Sequence, residues 1–272
     1  MTKMTLREAE ELLSAAGIDS PRDEARLIFR LVGEVPQHET VSLDSECDSP
    51  LVFEAVNRRA ERVPLEYITG RADFYRESYK VNESVLIPRP DTEILVDYGV
   101  KNLPRGADFL DLCTGSGCVA LSILNNTRDT TALAVDISES ALAVARENAR
   151  ELGLSDRIEF MRADVTEIAL TRSACAVFSN PPYVSDSAYE ALEPEIYKEP
   201  KIAFLGGADG CDFYRTLTPL YREIIEKDGF IAYEIGYDQG DLLREIAGTC
   251  GMHCEIIRDL GGRERVAVLR RK

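Results

Sequence analysis

From residue 105 onward the chain repeats one pattern: a short apolar run, a turn, then an amphipathic helix. ADFLDLC (107–113) is followed by a glycine-containing turn and an apolar helix around Val119 to Leu124. TALAVD (131–136) precedes a helix over 138–152 with Ala141, Leu142, Ala145 and Ala149 on one face. Strands are predicted at 157–162 and 174–179, then a helix at 210–227, a strand at 230–235 and a helix at 238–250. Two strands close the chain near 254–258 and 265–270. Parallel strands are covered on both faces, so they read as apolar runs, and each crossover between them needs a helix. The repeat therefore restricts this part to an α/β fold, a doubly wound, Rossmann-like sheet. The closing pair is separated by a turn too short for a crossover, so the last strand is expected to be antiparallel.

The first seventy residues lack this pattern and read as a small helical domain. Thr5 and Glu8 form a capping box ahead of Leu6, Ala9, Leu12, Leu13 and Ala16. Ser20-Pro21 opens a second helix that Gly33 closes, and Ser49-Pro50 opens a third that Pro64 stops. FYRESYKVNESVLI then alternates with β-rich residues, as a hairpin-like connector does, and a helix is expected from Asp91 with Gly99 near its end.

Charge narrows the partners. The net charge is −16, and residues 1–70 carry 8 basic and 14 acidic side chains, so neither half hides a basic footprint for nucleic-acid backbone. Acidity of this kind suits steering towards a basic protein. The 7 cysteines form no C-x-x-C pair, and Cys250-Gly-Met-His253-Cys254 has no second Cys/His pair near it, so no metal is expected. The N-terminus has no apolar signal core and no run is long enough for a membrane helix, which points to the cytoplasm.

Two motifs carry chemistry. Asp111-Leu-Cys-Thr114-Gly115-Ser116-Gly117-Cys118 lies where a strand meets a helix, and its glycines allow backbone to approach a ligand closely. No Gly-Lys-Ser/Thr follows, so it is not a P-loop. Asp136 ends the next strand, where adenosine-binding sheets place an acid for the ribose hydroxyls; a helix cap shared with Ser138 is the plainer alternative. Asp164-Val165 ends the third strand, where an adenine would rest.

Asn180-Pro181-Pro182-Tyr183 follows the fourth strand. A planar amide or amine nitrogen is a poor nucleophile because its lone pair is delocalised. To be methylated it must give its N–H groups to fixed acceptors. Asn180 offers a side-chain oxygen and Pro181 a rigidly held carbonyl. Tyr183 offers a ring face to the planar target and to a sulfonium cation. A merely structural proline turn is the other reading.

The chain resembles the HemK/PrmC family of protein-(glutamine-N5) methyltransferases over nearly its full length. Besides the two motifs, the resemblance is carried by Pro64-Leu-Glu-Tyr67-Ile-Thr-Gly70 and by Leu86-Ile-Pro88-Arg89-Pro90-Asp91-Thr92-Glu93. It continues in Glu199-Pro200, Leu205-Gly-Gly207, Asp209-Gly210 and Asp259-Leu-Gly-Gly-Arg263-Glu-Arg265. The Asn-Pro-Pro-Tyr tetrapeptide also occurs in adenine-N6 methyltransferases; the Ile-Pro-Arg-Pro-Asp-Thr-Glu run is far more specific.

The resemblance implies a class I methyltransferase sheet over 91–272, a connector over 71–90 and a helical substrate-binding domain over 1–70. It implies S-adenosylmethionine as cofactor, held by Thr114, Gly115, Ser116, Gly117, Cys118, Asp136, Asp164, Val165 and Asn180. The substrate implied is the Gly-Gly-Gln glutamine of class I peptide chain release factors. Asn180, Pro181, Pro182 and Tyr183 would hold it, with Pro88 and Arg89 approaching from the connector. Arg89 paired to Asp91 or Glu93 is the structural alternative. Cys113 departs from the pattern, standing where many methyltransferases carry a first glycine. The rival activity, adenine-N6 methylation, needs a flipped base and a basic groove, which a net −16 opposes. A non-catalytic binding protein would be expected to have lost the intact tetrapeptide.

Overall fold

The computed structural model describes residues 3–36, 41–168, 170 and 172–272. It divides into two compact units, Met1–Arg71 with Glu193–Lys198, and Ala72–Leu192 with Glu199–Lys272.

The first unit is built on helices α1 (Leu6–Ala15), α2 (Pro21–Leu31), α3 (Pro50–Ala60) and α4 (Leu65–Thr69). The Thr5–Glu8 capping box forms in both directions: Glu8 N–H donates to Thr5 Oγ1 at 3.2 Å, and Thr5 N–H to Glu8 Oε2 at 2.7 Å. Proline sits in the first turn of α2 and α3, where its missing N–H costs nothing. Leu6, Leu13, Ile28, Phe29, Val52 and Val56 form the shared core. Two features differ from the sequence reading. Lys3–Thr5 pairs antiparallel with Glu46–Asp48, a long-range pairing of three-residue strands that alternation is too short to reveal. Pro64 opens α4 as its N-cap, and α3 has already ended at Ala60. The segment 193–198 joins this unit through Glu195, which accepts from Arg59 Nη1 at 3.0 Å and from Arg62 Nη2 at 2.8 Å.

At the start of the second unit, a strand running from Arg71, the last residue of the first, to Phe74 pairs with Glu77–Lys80 across the turn Tyr75-Arg76. A 3₁₀ turn (Pro90–Thr92) leads into α5 (Glu93–Asn102), so the α-helix starts two residues later than expected. Gly99 lies in the last turn of α5, near its end as expected. A Cβ there would stand 2.7 Å from Ile123 Cδ1 and 3.0 Å from Phe178 Cζ, so the helix sits close because this residue has no side chain.

The main sheet contains β1 (Asp108–Leu112), β2 (Thr131–Asp136), β3 (Ile158–Arg162), β4 (Ala174–Ser179), β5 (Ile225–Glu234), β6 (Met252–Arg258) and β7 (Glu264–Arg271). Their order across the sheet is β3-β2-β1-β4-β5-β7-β6. Pairings from β3 to β5 are parallel, and β7 runs antiparallel to both β5 and β6. Period-two alternation sends Phe109, Phe178 and Phe230 to one face, where their rings meet edge to face at 5.5 Å. Leu110, Val177 and Ile231 go to the other. The crossovers are α6 (Cys118–Asn126), α7 (Glu139–Glu151), the short α8 (Asp186–Tyr189), α9 (Asp212–Arg222) and α10 (Gly240–Thr249). The helix expected over 210–227 is shorter. Pro219 removes one of its N–H groups, and Ile225 is drawn into strand pairing with Ala174.

Candidate active site

A cavity of about 470 Å³ opens where β1, β2, β3 and β4 end, the edge at which open α/β sheets bind ligands. Gly115, Asp136, Asp164, Val165, Asn180 and Pro182 line it, together with Cys113. Thr114, Ser116, Gly117 and Cys118 are buried behind that wall. Pro181, Tyr183, Pro88 and Arg89 also do not line the cavity.

The glycine turn is held from beneath. Asp111, buried at the end of β1, accepts the Thr114 hydroxyl at 2.6 Å and the Ala120 N–H at 3.3 Å, tying the turn to the start of α6. Burial raises the Asp111 pKa to about 7, and the bonds from Thr114 and Ala120 hold it from rising further. Cys113, Gly115 and Gly117 all take positive φ, at 59°, 56° and 81°. Cys113 thus adopts the left-handed conformation that a glycine adopts freely, at a cost of about 1–2 kcal/mol. Burial pushes its thiol well above the ordinary cysteine range.

Asp136 is oriented by backbone. Gly115 N–H donates to Oδ2 and Ser138 N–H to Oδ1, each at 2.9 Å. The cap of α7 is Ser138 itself, whose Oγ accepts the Ala141 N–H at 3.2 Å. Each Asp136 oxygen retains a second lone pair for a ligand hydroxyl. Burial raises its pKa against the N–H groups of Ser138, Gly115 and Ile137. Asp164 closes an Asx turn on Thr166, taking its N–H at 2.9 Å and its hydroxyl at 2.6 Å on the same oxygen, Oδ1.

Asn180 leaves β4 beside Ser179, whose hydroxyl anchors to the Leu112 carbonyl at 2.7 Å. Asn180 Nδ2 donates to Thr92 Oγ1 at 3.3 Å. The chain after the prolines is strapped by main-chain bonds, Val184 N–H to Phe204 O at 2.8 Å and Gly206 N–H to Val184 O at 2.9 Å. A Cβ on Gly206 would come within 2.6 Å of the Pro182 carbonyl, and one on Gly210 within 2.2 Å of the Tyr183 carbonyl. The Tyr183 hydroxyl donates to Glu234 Oε1 at 3.1 Å, away from the cavity wall.

The Ile87-to-Glu93 run works as a brace. Arg89 pairs with Glu199, not with Asp91 or Glu93, and Glu199 also accepts the Ile87 N–H at 3.0 Å. Asp91 pairs with Arg265 at 3.1 Å, and Arg265 reaches Asp259 at 3.0 Å. Glu93 accepts the Tyr75 N–H at 2.9 Å. Sequence reasoning missed the cavity wall formed by Glu83 to Leu86 and by Pro200, Ile202 and Ala203, loop residues without a chemical signature. It also missed Glu234, although one carboxylate within the apolar strand FIAYEIG is a visible signal.

This strand order, with a glycine turn after β1 and an acid after β2, defines a class I methyltransferase. The chain of a ribosomal protein L11 methylase from Lactobacillus delbrueckii subsp. bulgaricus shares the fold, with a TM-score of 0.53 at 17% identity over 71% of this chain and 84% of that one. The PrmC N-terminal domain family matches residues 5–70, and the methyltransferase small domain family matches residues 90–200. A release factor glutamine methyltransferase of Moorella thermoacetica is 35% identical over 96% of this chain and 97% of its own. One of Caulobacter vibrioides is 37% identical over 96% and 93%. The chain belongs to the release factor glutamine methyltransferase family.

Proposed function

We propose that this protein transfers a methyl group from S-adenosylmethionine to the side-chain nitrogen, N5, of the Gly-Gly-Gln glutamine in class I peptide chain release factors. The relatives' names supply the substrate class. The observation that carries the chemistry is Asn180: it lines the cavity, and its own amide nitrogen is committed to Thr92.

The residues present fit the cofactor. Asp136 offers a pre-oriented carboxylate to ribose hydroxyls, and Val165 an apolar surface for an adenine. A Cβ on Gly115 would meet no protein atom within 4 Å, so the backbone there is bare towards the cavity. When bound, the cofactor supplies an electrophilic methyl group. The protein's part is to hold the target amide. Asn180 Oδ1 and the Pro181 carbonyl take its two N–H groups and turn the nitrogen lone pair out of conjugation. The product nitrogen carries the new methyl and one remaining hydrogen, the other having left as a proton.

Asn180→Ala tests the reading. It is expected to lower turnover roughly 10²-fold, the scale of one preorganised electrostatic partner, with cofactor affinity nearly unchanged. Turnover close to wild type would remove Asn180 from the chemistry.

A further inference from the structure

Prolines stiffen the Asn-Pro-Pro-Tyr segment but give it no donor with which to hold its place. Pro181 and Pro182 have no N–H and a locked φ, so the direction of the Pro181 carbonyl depends on how the two ends of the segment are held. The near end is fixed by the Ser179 hydroxyl on the Leu112 carbonyl at 2.7 Å and by Asn180 Nδ2 on Thr92 Oγ1 at 3.3 Å. The far end is fixed at Tyr183. Its hydroxyl donates to Glu234 Oε1 at 3.1 Å, and its carbonyl accepts from Gln239 Nε2 at 3.0 Å. Gln239 belongs to none of the motifs and is the residue just before α10.

Gln239 is buried, and both ends of its amide face groups that leave one choice of direction. Oε1 accepts the Gly236 N–H at 2.8 Å, and a main-chain N–H can only donate. Nε2 faces the carbonyls of Tyr183 and, at 3.4 Å, Gly210, which can only accept. One side chain thus ties the turn after β5 to the end of the tetrapeptide and to the Asp209-Gly210 loop. Two glycines make room for it. A Cβ on Gly210 would stand 2.8 Å from Gln239 Nε2, and one on Gly236 3.0 Å from Gln239 Cδ. The start of that turn is itself held, since Tyr214 on α9 donates its hydroxyl to the Glu234 main-chain carbonyl at 2.8 Å.

Resting on the reading of the Pro181 carbonyl as an acceptor for the target amide, we propose that Gln239 is a positioning residue for methyl transfer. It clamps the far end of the tetrapeptide, so that the Pro181 carbonyl and Asn180 Oδ1 keep the spacing that one carboxamide needs. Gln239 does not line the cavity and acts through Tyr183. Without its donor the Tyr183 carbonyl loses a buried partner, and the segment is freer to turn about ψ of the two prolines. The cofactor side of the site has other supports. Asp111 holds the glycine turn through Thr114 and Ala120, and Gly115 and Ser138 hold Asp136.

Two variants of the full-length protein test this. Gln239→Met keeps the length of the side chain and removes its amide. Gln239→Glu keeps the shape but turns a carboxylate towards two carbonyls that need donors, and it serves where Gln239→Met does not fold. Assayed at about pH 8, where a carboxylate is ionised, each is expected to lower kcat about 10-fold, the worth of one hydrogen bond. KM and cofactor Kd should stay within about twofold. A glutamine that only supports the fold would lower stability and leave the kcat of the folded protein unchanged. The Tyr183 carbonyl ¹³C resonance gives a readout that needs no substrate. It should move in both variants, while that of Leu112, bonded by Ser179, should not. Wild-type kcat in either folded variant, or an unmoved Tyr183 resonance, would overturn the proposal. So would a cofactor Kd weakened as much as kcat. If wild type methylates no glutamine, the functional reading fails instead, and the Tyr183 resonance still decides whether Gln239 holds the tetrapeptide.

Discussion

Asp136 holds one backbone N–H on each carboxylate oxygen, which places both oxygens before any ligand arrives. Asp136→Ala is therefore expected to weaken S-adenosylmethionine binding by about 1–3 kcal/mol, the range for a lost hydrogen bond to a charged acceptor. Calorimetry would show it, and unchanged affinity would reduce Asp136 to a support of the glycine turn. The neighbouring Asp111 carries a different signature. Its folded pKa of about 7 exceeds the ordinary carboxyl value of about 4, so between those values the folded state keeps a proton that the unfolded chain has lost. This group's contribution to stability therefore falls as pH rises through that window. Measured by denaturant unfolding at about pH 5 and about pH 8, wild type should lose stability relative to Asp111→Asn on going to the higher pH. A difference between the two proteins that does not change with pH would show that Asp111 stays ionised throughout. At this scale Asp136 and Asn180 were legible because polar residues just past the ends of apolar strands point to a ligand edge. Thr92 was not, because its meaning depends on its contact with Asn180, far away in the chain.

At the scale of elements, β2 and β4 fall on the residues that their apolar runs predict, since both are buried on two faces and carry no competing signal. Errors arise where local pattern meets long-range pairing. Residues 223–227 continue the helical rhythm of α9, yet Ile225 pairs with Ala174 and the strand takes 225–227. Glu46–Asp48 has no alternation to announce it and exists only as the partner of Lys3–Thr5. The connector motif shows another limit. Its specificity was legible as a run of letters, but its role is legible only in space. Arg89 bonds Glu199, Asp91 bonds Arg265, Thr92 accepts from Asn180 and Glu93 accepts from Tyr75. Arg89 and, past Pro90, the three consecutive residues Asp91, Thr92 and Glu93 thus brace four separate segments of the second unit.

At the scale of the whole molecule, every residue that lines the cavity belongs to the second unit. A variant lacking residues 1–70 should therefore bind S-adenosylmethionine within about threefold of wild type. It should carry Glu195→Gln as well, since Arg59 and Arg62 leave with the deletion and a stranded charge is costly. Its turnover on an intact release factor should fall about 10-fold or more, because orientation of the substrate is lost. Full turnover would show that the helical unit does not position the substrate. The central claim is transfer to one amide nitrogen, and one measurement bears on it directly. The full-length protein is incubated with methyl-labelled S-adenosylmethionine and a class I release factor, either native or with the Gly-Gly-Gln glutamine replaced by glutamate, alongside duplex DNA. The account predicts label on that glutamine alone and none on the glutamate variant, whose carboxylate has no N–H for Asn180 and Pro181 to accept. Label on the glutamate variant, on another residue or on DNA adenine would contradict it.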